Sequence, residues 1–223
     1  MNSSLNVLIA QCKQLYQKEK FQEAEQLCHH ILLKVPEEAN TLYLLGLIAC
    51  QTHRFVDGIE WLKQAIKQEP HNSHFHFHLA NAYQWTQERD AALKHYHQVL
   101  EWDSASLETL SAMACIYLEQ REYVIANSLC QKALQMNPLC LDALCLLGEM
   151  TLIQQQLDKA EYYYREAFRL KPSTAICNNL AGIYLEQGKS KEALDLYYQA
   201  IHREHGLTLS HNLITISLAN KRG

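Results

Sequence analysis

The chain has 223 residues, of which 48% are hydrophobic and 20% charged, so it can bury a large core and does not have the composition of a disordered chain. The net charge of −4 at pH 7 argues against a general nucleic-acid binder, which would carry a basic excess. No stretch approaches 18 apolar residues, and the N-terminus lacks the basic start of a signal peptide, so we expect a cytoplasmic protein without membrane insertion.

Cysteine usage agrees with a reducing compartment. The chain has eight cysteines but no CxxC motif and no paired spacing of zinc ligands. A disulfide framework is not expected in a chain with this much apolar sequence. We interpret the cysteines as small hydrophobic residues of a core.

A fixed interval runs through the chain. The prolines at 36, 70, 138 and 172 are separated by 34, 68 and 34 residues, and Ser104 occupies the missing position. Three further series keep the interval of 34, and each is one residue early in the last member. The first contains Ala24, Gly58, Ala92, Ala126, Ala160 and Ala193; the second contains Cys12, Gly46, Ala80, Ala114, Gly148 and Ala181; the third contains Leu15, Ala49, Tyr83, Tyr117, Thr151 and Tyr184. Such an interval indicates a repeat array.

Each repeat has the pattern of two amphipathic helices of about 12 to 14 residues, with apolar residues three and four positions apart. Small residues in the first two series would let the two helices approach closely. Proline would end the second helix, because it lacks an N–H group and its ring clashes with the preceding turn. One helix pair cannot bury its apolar face alone, so we expect the pairs to stack.

The segment HLANAYQWTQERDAALKHYHQVL carries Leu79, Ala80, Tyr83, Ala92 and Tyr96 in a Leu-small-x-x-Tyr element and an Ala-x-x-x-aromatic element. This pattern resembles the tetratricopeptide repeat family. The resemblance implies an all-α fold, a right-handed α-solenoid of stacked antiparallel helix pairs, with residues 1–223 as a single domain. We expect repeats at about 5–38, 39–72, 73–106, 107–140, 141–173 and 174–207, followed by a capping helix at 208–220.

The resemblance also implies where a partner binds. In this family the first helices of the repeats line a concave groove that holds a peptide or a helix of another protein. The candidate partner-binding residues are Tyr43, Leu47, His74, Phe77, Asn81, Gln84, Trp85, Glu108, Glu119 and Glu149. The aromatic residues suit an interface, and the carboxylates would favour a partner with basic residues. Local packing of the aromatic rings and simple solvation of the carboxylates stay open as alternatives.

Four histidines fall between residues 71 and 78, and His95 and His97 follow. On a helix from about 73 to 86, His76 shares the packing face with Leu79, whereas His74 and His78 lie one turn apart elsewhere. Two ligands make a weak metal site, so no metal is expected, although a third ligand from His71 or a pH-sensing role remains open. We interpret His74 and His78 as polar members of the binding face.

No catalytic motif or cofactor site is present in the sequence, so we predict a non-catalytic interaction scaffold, either monomeric or a weak homodimer. The alternative is the substrate-recognition arm of a larger enzyme, such as a protein glycosyltransferase, with its catalytic domain outside this sequence. Sugar-transferase arms carry an asparagine ladder, of which only Asn179 stands in place here. Chaperone-binding members carry a basic clamp, to which only Lys13 could contribute.

Overall fold

The computed structural model describes residues 2–203 and contains, over that range, twelve α-helices and no strand. The helices are α1 Asn2–Gln17, α2 Phe21–Leu32, α3 Ala39–Gln51, α4 Phe55–Gln68, α5 Ser73–Trp85, α6 Arg89–Trp102, α7 Leu107–Glu119, α8 Tyr123–Met136, α9 Leu141–Ile153, α10 Leu157–Leu170, α11 Thr174–Glu186 and α12 Ser190–Arg203. The predicted all-α fold is confirmed. The predicted capping helix at 208–220 lies outside the described residues.

The chain divides into two compact units, of which unit 1 ends at Thr109 and unit 2 begins at Leu110. In unit 1, α1 packs on α2, α3 on α4 and α5 on α6, while α2 and α4 also pack on the helix that follows them. In unit 2, α9 packs on α10 and α11 on α12, and α8 and α10 contact the next helix in the same way. We call each such pair of helices a hairpin. Successive hairpins thus bury each other's apolar faces within each unit. The single domain over 1–223 stays a prediction.

The small residues of the first two series lie where the helices of a hairpin approach each other. A Cβ atom on Gly58 would meet the Cys50 sulfur at 2.5 Å and the Gly46 carbonyl oxygen at 3.1 Å. In the first hairpin, the buried Cys12 thiol lies 4.0 Å from the carbonyl oxygen of Ala24. In these two hairpins, one small residue from each series therefore meets the other, as the repeat pattern predicts.

The first helix of every hairpin is followed by a residue in the left-handed backbone conformation. These residues are Glu19, His53, Gln87, Arg121, Gln155 and Gly188, with φ between 57° and 75°. The next backbone N–H then bonds back to the third series, for example Glu88 N to the Tyr83 carbonyl oxygen at 2.9 Å. This is a Schellman closure, which satisfies carbonyl groups at a helix C-terminus. The backbone carbonyl groups of the third series therefore accept the hydrogen bonds that close the first helices.

The second helices end near the positions that the prolines predict, and α6 ends at the equivalent position although Ser104 stands there. Helix α6 stops at Trp102 although no proline follows. The Asp103 carboxylate accepts a hydrogen bond from the backbone N–H of Ala105 at 3.1 Å. Such a local side-chain bond favours a turn over further helix. Asn137 accepts the equivalent bond from the backbone N–H of Leu139 at 3.0 Å although Pro138 follows it, so this turn occurs with and without proline.

Two glycines of unit 2 provide a matched test of the close helix approach. A Cβ on Gly148 would meet three ring atoms of the buried Tyr164 at 2.8–3.0 Å, whereas a Cβ on Gly182 meets nothing within 4 Å. We expect Gly148→Ala to lower the free energy of unfolding by about 1–3 kcal/mol through overpacking. Gly182→Ala should raise it by about 0.5–1 kcal/mol, because alanine favours helix. Urea denaturation of both variants measures this, and equal shifts would contradict the proposed role of Gly148.

Candidate partner-binding surface

Helix α5 has one face in the core and one towards solvent. His76, Leu79, Ala80 and Tyr83 are buried, which confirms the predicted packing face. Trp85 lies on the other side with 70% of its surface exposed. Tryptophan is enriched among the residues that dominate the binding energy of protein interfaces.

Phe77 is half-buried rather than sealed inside the hairpin. Its ring centroid lies 5.9 Å from that of Tyr96 on α6 and 5.4 Å from that of His78. One part of the ring thus supports the contact between α5 and α6, and another part lines a surface recess described below. Phe77 therefore has both a packing contact and a surface that a partner could reach.

Asn81 and Gln84 are held by the buried tyrosine of α6. The Tyr96 hydroxyl lies close to Asn81 Oδ1 and 3.1 Å from Gln84 Oε1. A hydroxyl has one hydrogen, so it can donate to only one of these two amide oxygens, and the shorter contact is the one to Asn81 Oδ1. This contact fixes the Asn81 amide with its NH₂ group directed away from Tyr96.

The first recess of unit 1 is rich in aromatic rings and has a volume of about 270 Å³. We call it the aromatic recess, and its lining residues are Tyr16, Leu47, Cys50, Gln51, His53, Phe55, His78, Asn81, Ala82 and Trp85. The Trp85 ring stacks on that of Phe55 with centroids 5.7 Å apart and planes 13° apart. The recess thus unites three predicted residues, Leu47, Asn81 and Trp85.

A second recess in unit 1 has a volume of about 280 Å³. We call it the histidine recess, and it is lined by Ser73, His74, Phe77, His78, Val99, Asp103, Ser106 and Glu108. It unites the predicted residues His74, Phe77 and Glu108. His78 lines both recesses, so it lies between the two predicted groups.

Tyr43 occupies a different environment from the other aromatic candidates. Its ring stacks on Phe75 with centroids 4.7 Å apart, and His78 contacts it edge-on at 5.5 Å. Burial raises the pKa of Tyr43 to about 12. Tyr43 is absent from the lining of both recesses. Its main contacts are thus with neighbouring rings of unit 1.

The last two candidate residues lie in unit 2. Glu119 and Glu149 are exposed and line an open recess of about 480 Å³, which we call the acidic recess. The recess is completed by Cys115, Leu118, Arg121, Tyr123 and Ile153. Arg121, which the sequence reasoning did not include, places one guanidinium beside the two carboxylates.

Several residues that line the recesses were not predicted from the sequence, because they belong to turns or to second helices. His53 is the left-handed residue after α3, and Phe55 is the first residue of α4. The groove pattern considers first helices alone, so neither residue was a candidate. The 34-residue interval could have located the turns, but not the direction in which their side chains lie.

The clustered histidines form a buried contact between α5 and α6. His76 Nδ1 lies 2.9 Å from His95 Nδ1, and His76 Nε2 lies 3.1 Å from the Pro70 carbonyl oxygen. A carbonyl only accepts, so Nε2 of His76 carries its proton and its Nδ1 accepts from His95. Within residues 2–203, no group of three or more His, Cys, Asp or Glu side chains could hold a metal ion.

Burial keeps these rings neutral near pH 7. It lowers the pKa of His78 from 6.5 to about 4, with a smaller effect from His74. Burial also lowers the pKa of His95 to about 4, helped by the nearby His76 and Lys94, and it lowers the pKa of His76. Desolvation disfavours the charged imidazolium, which explains the common direction.

The cysteines behave as core residues. Cys12, Cys28 and Cys130 are buried, as predicted. Burial raises the pKa of Cys130 to about 12 and that of Cys50 to about 11, so these thiols stay protonated at neutral pH. A protonated thiol is a poor nucleophile and a poor metal ligand.

Stacked helix pairs with one face of exposed aromatic and polar residues define a helical-repeat protein. Sequence profiles described as tetratricopeptide repeat match residues 52–114, 111–175 and 174–203. The chain therefore belongs to the tetratricopeptide repeat family.

One curated relative is the protein O-mannosyl-transferase TMTC1 of Homo sapiens, which is 26% identical over 196 residues. The match covers 85% of this chain but 22% of the relative, so the chain spans a small part of that protein's length.

Solved structures with the same fold include a tetratricopeptide repeat protein from Parabacteroides merdae, with a TM-score of 0.76 and 19% identity over 98% of this chain and 88% of that one. PilW, described as a widely conserved type IV pilus biogenesis factor, has a TM-score of 0.82 and 14% identity over 97% of this chain and 99% of its own. At these identities the likeness shows the fold alone. Among residues 2–203, no helix is long and apolar enough to cross a membrane.

Because these histidines are neutral in the folded chain, we expect the free energy of unfolding to fall in acid. Their pKa values are lower in the folded chain than the unfolded value of 6.5, so the unfolded chain binds more protons between pH 6.5 and 4. Stability is complete above pH 6.5 and falls as the pH decreases through this window. We expect the free energy of unfolding to drop by on the order of 1 kcal/mol or more between pH 7.5 and pH 5.5.

Urea denaturation at the two pH values measures this drop. His95→Gln should reduce the difference between them, because it removes one neutral ring from the α5–α6 contact. His97→Gln is the matched control, since His97 is an exposed histidine of the same helix. A pH dependence that is identical in His95→Gln and wild type would contradict the assignment.

Proposed function

We propose that this chain is a protein-interaction module that holds a segment of a partner protein on the exposed face of unit 1. The observation that carries the proposal is Trp85, which is 70% exposed yet fixed in place by its stack on Phe55. Burying such a ring against a partner gains hydrophobic free energy, and the stack lowers the conformational entropy lost on binding. Phe77 and Asn81 lie on the same helix and extend the surface around it.

The acidic recess of unit 2 supports a preference for basic residues in the partner. Glu119 and Glu149 supply two carboxylates and Arg121 one guanidinium, so the balance at the recess is negative. Exposed charges of this kind guide the approach of a partner more than they add affinity. A lysine or arginine of the partner would therefore lie near these carboxylates.

A second candidate function is the recognition arm of a larger enzyme. The observation that favours it is the match to the human O-mannosyl-transferase, which covers 22% of that protein's length. In that case the catalytic domain lies outside the 223 residues, which would bind a substrate protein without turnover. The asparagine ladder of sugar-transferase arms is not repeated here, and Asn179 uses its amide to donate to the Tyr164 hydroxyl at 3.1 Å.

The two functions differ in what the reading frame encodes. A continuous frame that carries a transferase domain, together with sugar transfer by the whole protein but not by residues 1–223, would favour the recognition arm. A frame that ends at Gly223, with partner binding by the chain alone, would favour the independent module.

Replacing aromatic residues of the unit 1 face tests the interaction module. We expect Trp85→Ala to weaken partner binding by about 1–3 kcal/mol, because it removes an exposed anchor. The free energy of unfolding should change by less than about 0.5 kcal/mol, since most of the ring is in water. Quantitative capture of partners from cell extract by wild type and by Phe77→Ala/Trp85→Ala, followed by calorimetry with the captured partner and the Trp85→Ala variant, measures both effects.

The control is Val56→Ala/Tyr162→Ala, which changes two exposed apolar side chains on second helices. This variant should capture the same partners as wild type. An equal loss of partner capture in both double variants would contradict a binding role for the unit 1 face. An unchanged affinity of Trp85→Ala together with a large loss of stability would also contradict it.

The charges of the acidic recess predict how the rate of partner association depends on salt. We expect Glu119→Gln/Glu149→Gln to slow partner association and to reduce its dependence on ionic strength, because the attraction for basic residues is lost. Glu60→Gln/Glu101→Gln is the matched charge change, made at two exposed glutamates of unit 1 that do not line the recess. Stopped-flow association at low and high salt decides the question, and equal salt slopes in the two variants would remove the acidic recess from the proposal.

A further inference from the structure

The aromatic recess differs from the rest of the surface in its charge. About 20% of the chain is charged, yet none of the ten residues that line this recess is Asp, Glu, Lys or Arg. His78, the most enclosed of its titratable side chains, is held neutral at pH 7 because burial lowers its pKa to about 4. A charged side chain of a partner would lose its hydration here without finding an opposite charge, which is costly. The recess therefore selects an uncharged occupant.

Two polar side chains that line the recess, Trp85 and Asn81, can donate hydrogen bonds to an occupant. The Trp85 indole N–H can only donate, and the Asn81 oxygen contacts the Tyr96 hydroxyl, so Asn81 offers its NH₂ group as a donor. A partner helix has already paired its backbone carbonyls internally, so these donors would find little to bind. A partner strand needs a backbone edge, whereas the recess is built from helices that use their own backbone groups.

We infer that the aromatic recess binds an uncharged, proline-containing segment of the partner in the polyproline II conformation. This inference rests on the proposed protein-interaction function. Proline removes the backbone N–H, and polyproline II leaves its carbonyls unpaired, which matches a recess with donors. Its flat pyrrolidine rings pack against aromatic faces, here the stacked Phe55 and Trp85. The conformation exists before binding, so less entropy is lost.

Calorimetry with the complete 223-residue chain and defined peptides tests the inference. The probe is an acetylated and amidated peptide of repeated Pro-Pro-Ala units, and its control has glycine in place of every proline. We expect the proline peptide to bind with a Kd at least about tenfold lower than that of the glycine peptide. Adding glutamate or lysine within the proline peptide should weaken binding, because the recess offers no opposite charge.

Variants locate the binding site. Trp85→Ala should raise the Kd of the proline peptide by at least about tenfold, whereas Tyr162→Ala, an exposed aromatic change in unit 2, should leave it unchanged. Equal affinity for the proline and glycine peptides, no binding of the proline peptide, or an unchanged Kd in Trp85→Ala would overturn the inference.

The two proposals fail in different ways. Partner capture that depends on Phe77 and Trp85, without binding of the proline peptide, leaves the interaction function in place and removes the proline preference. Partner capture that depends on neither residue, again without peptide binding, removes both.

Discussion

The close approach of two helices within each hairpin is the constraint on which the rest of the structure depends. Small residues such as Gly58 and Ala24 lie where a larger side chain would push the helices apart. The left-handed residue after each first helix then turns the chain back by a Schellman closure. Together these two features fix the direction of every first helix, and with it the side chains that face solvent.

In α5 this constraint has consequences on both sides of the helix. The inner side carries His76, which is neutral because it is buried against His95 of α6. The outer side carries Trp85, which is 70% exposed and stacks on Phe55 of α4. Tyr96 links the sides, since it is buried in α6 and orients Asn81 at the surface. The packing of this hairpin and the arrangement of its proposed binding face therefore depend on the same few contacts.

The periodic features of the sequence predicted most of the local fold. The helix expected at about 73–86 is found at Ser73–Trp85, and His76 and Cys12 are buried as the repeat pattern requires. These predictions succeed because helical periodicity and the small positions are local properties of the chain. Phe55 and Arg121 were not predicted to line the recesses, because Phe55 begins a second helix and Arg121 is itself the left-handed residue of a turn.

The sequence by itself determined that the chain is an all-helical repeat protein, because a 34-residue interval of proline and small residues admits few other arrangements. The tertiary structure alone decided how the candidate residues are distributed. Tyr43 packs on Phe75, whereas Trp85 stacks on Phe55 and stays in water. Both are aromatic residues of first helices that the repeat pattern places on the predicted binding face. Their difference arises from contacts with neighbouring helices, which the order of residues within one repeat does not encode.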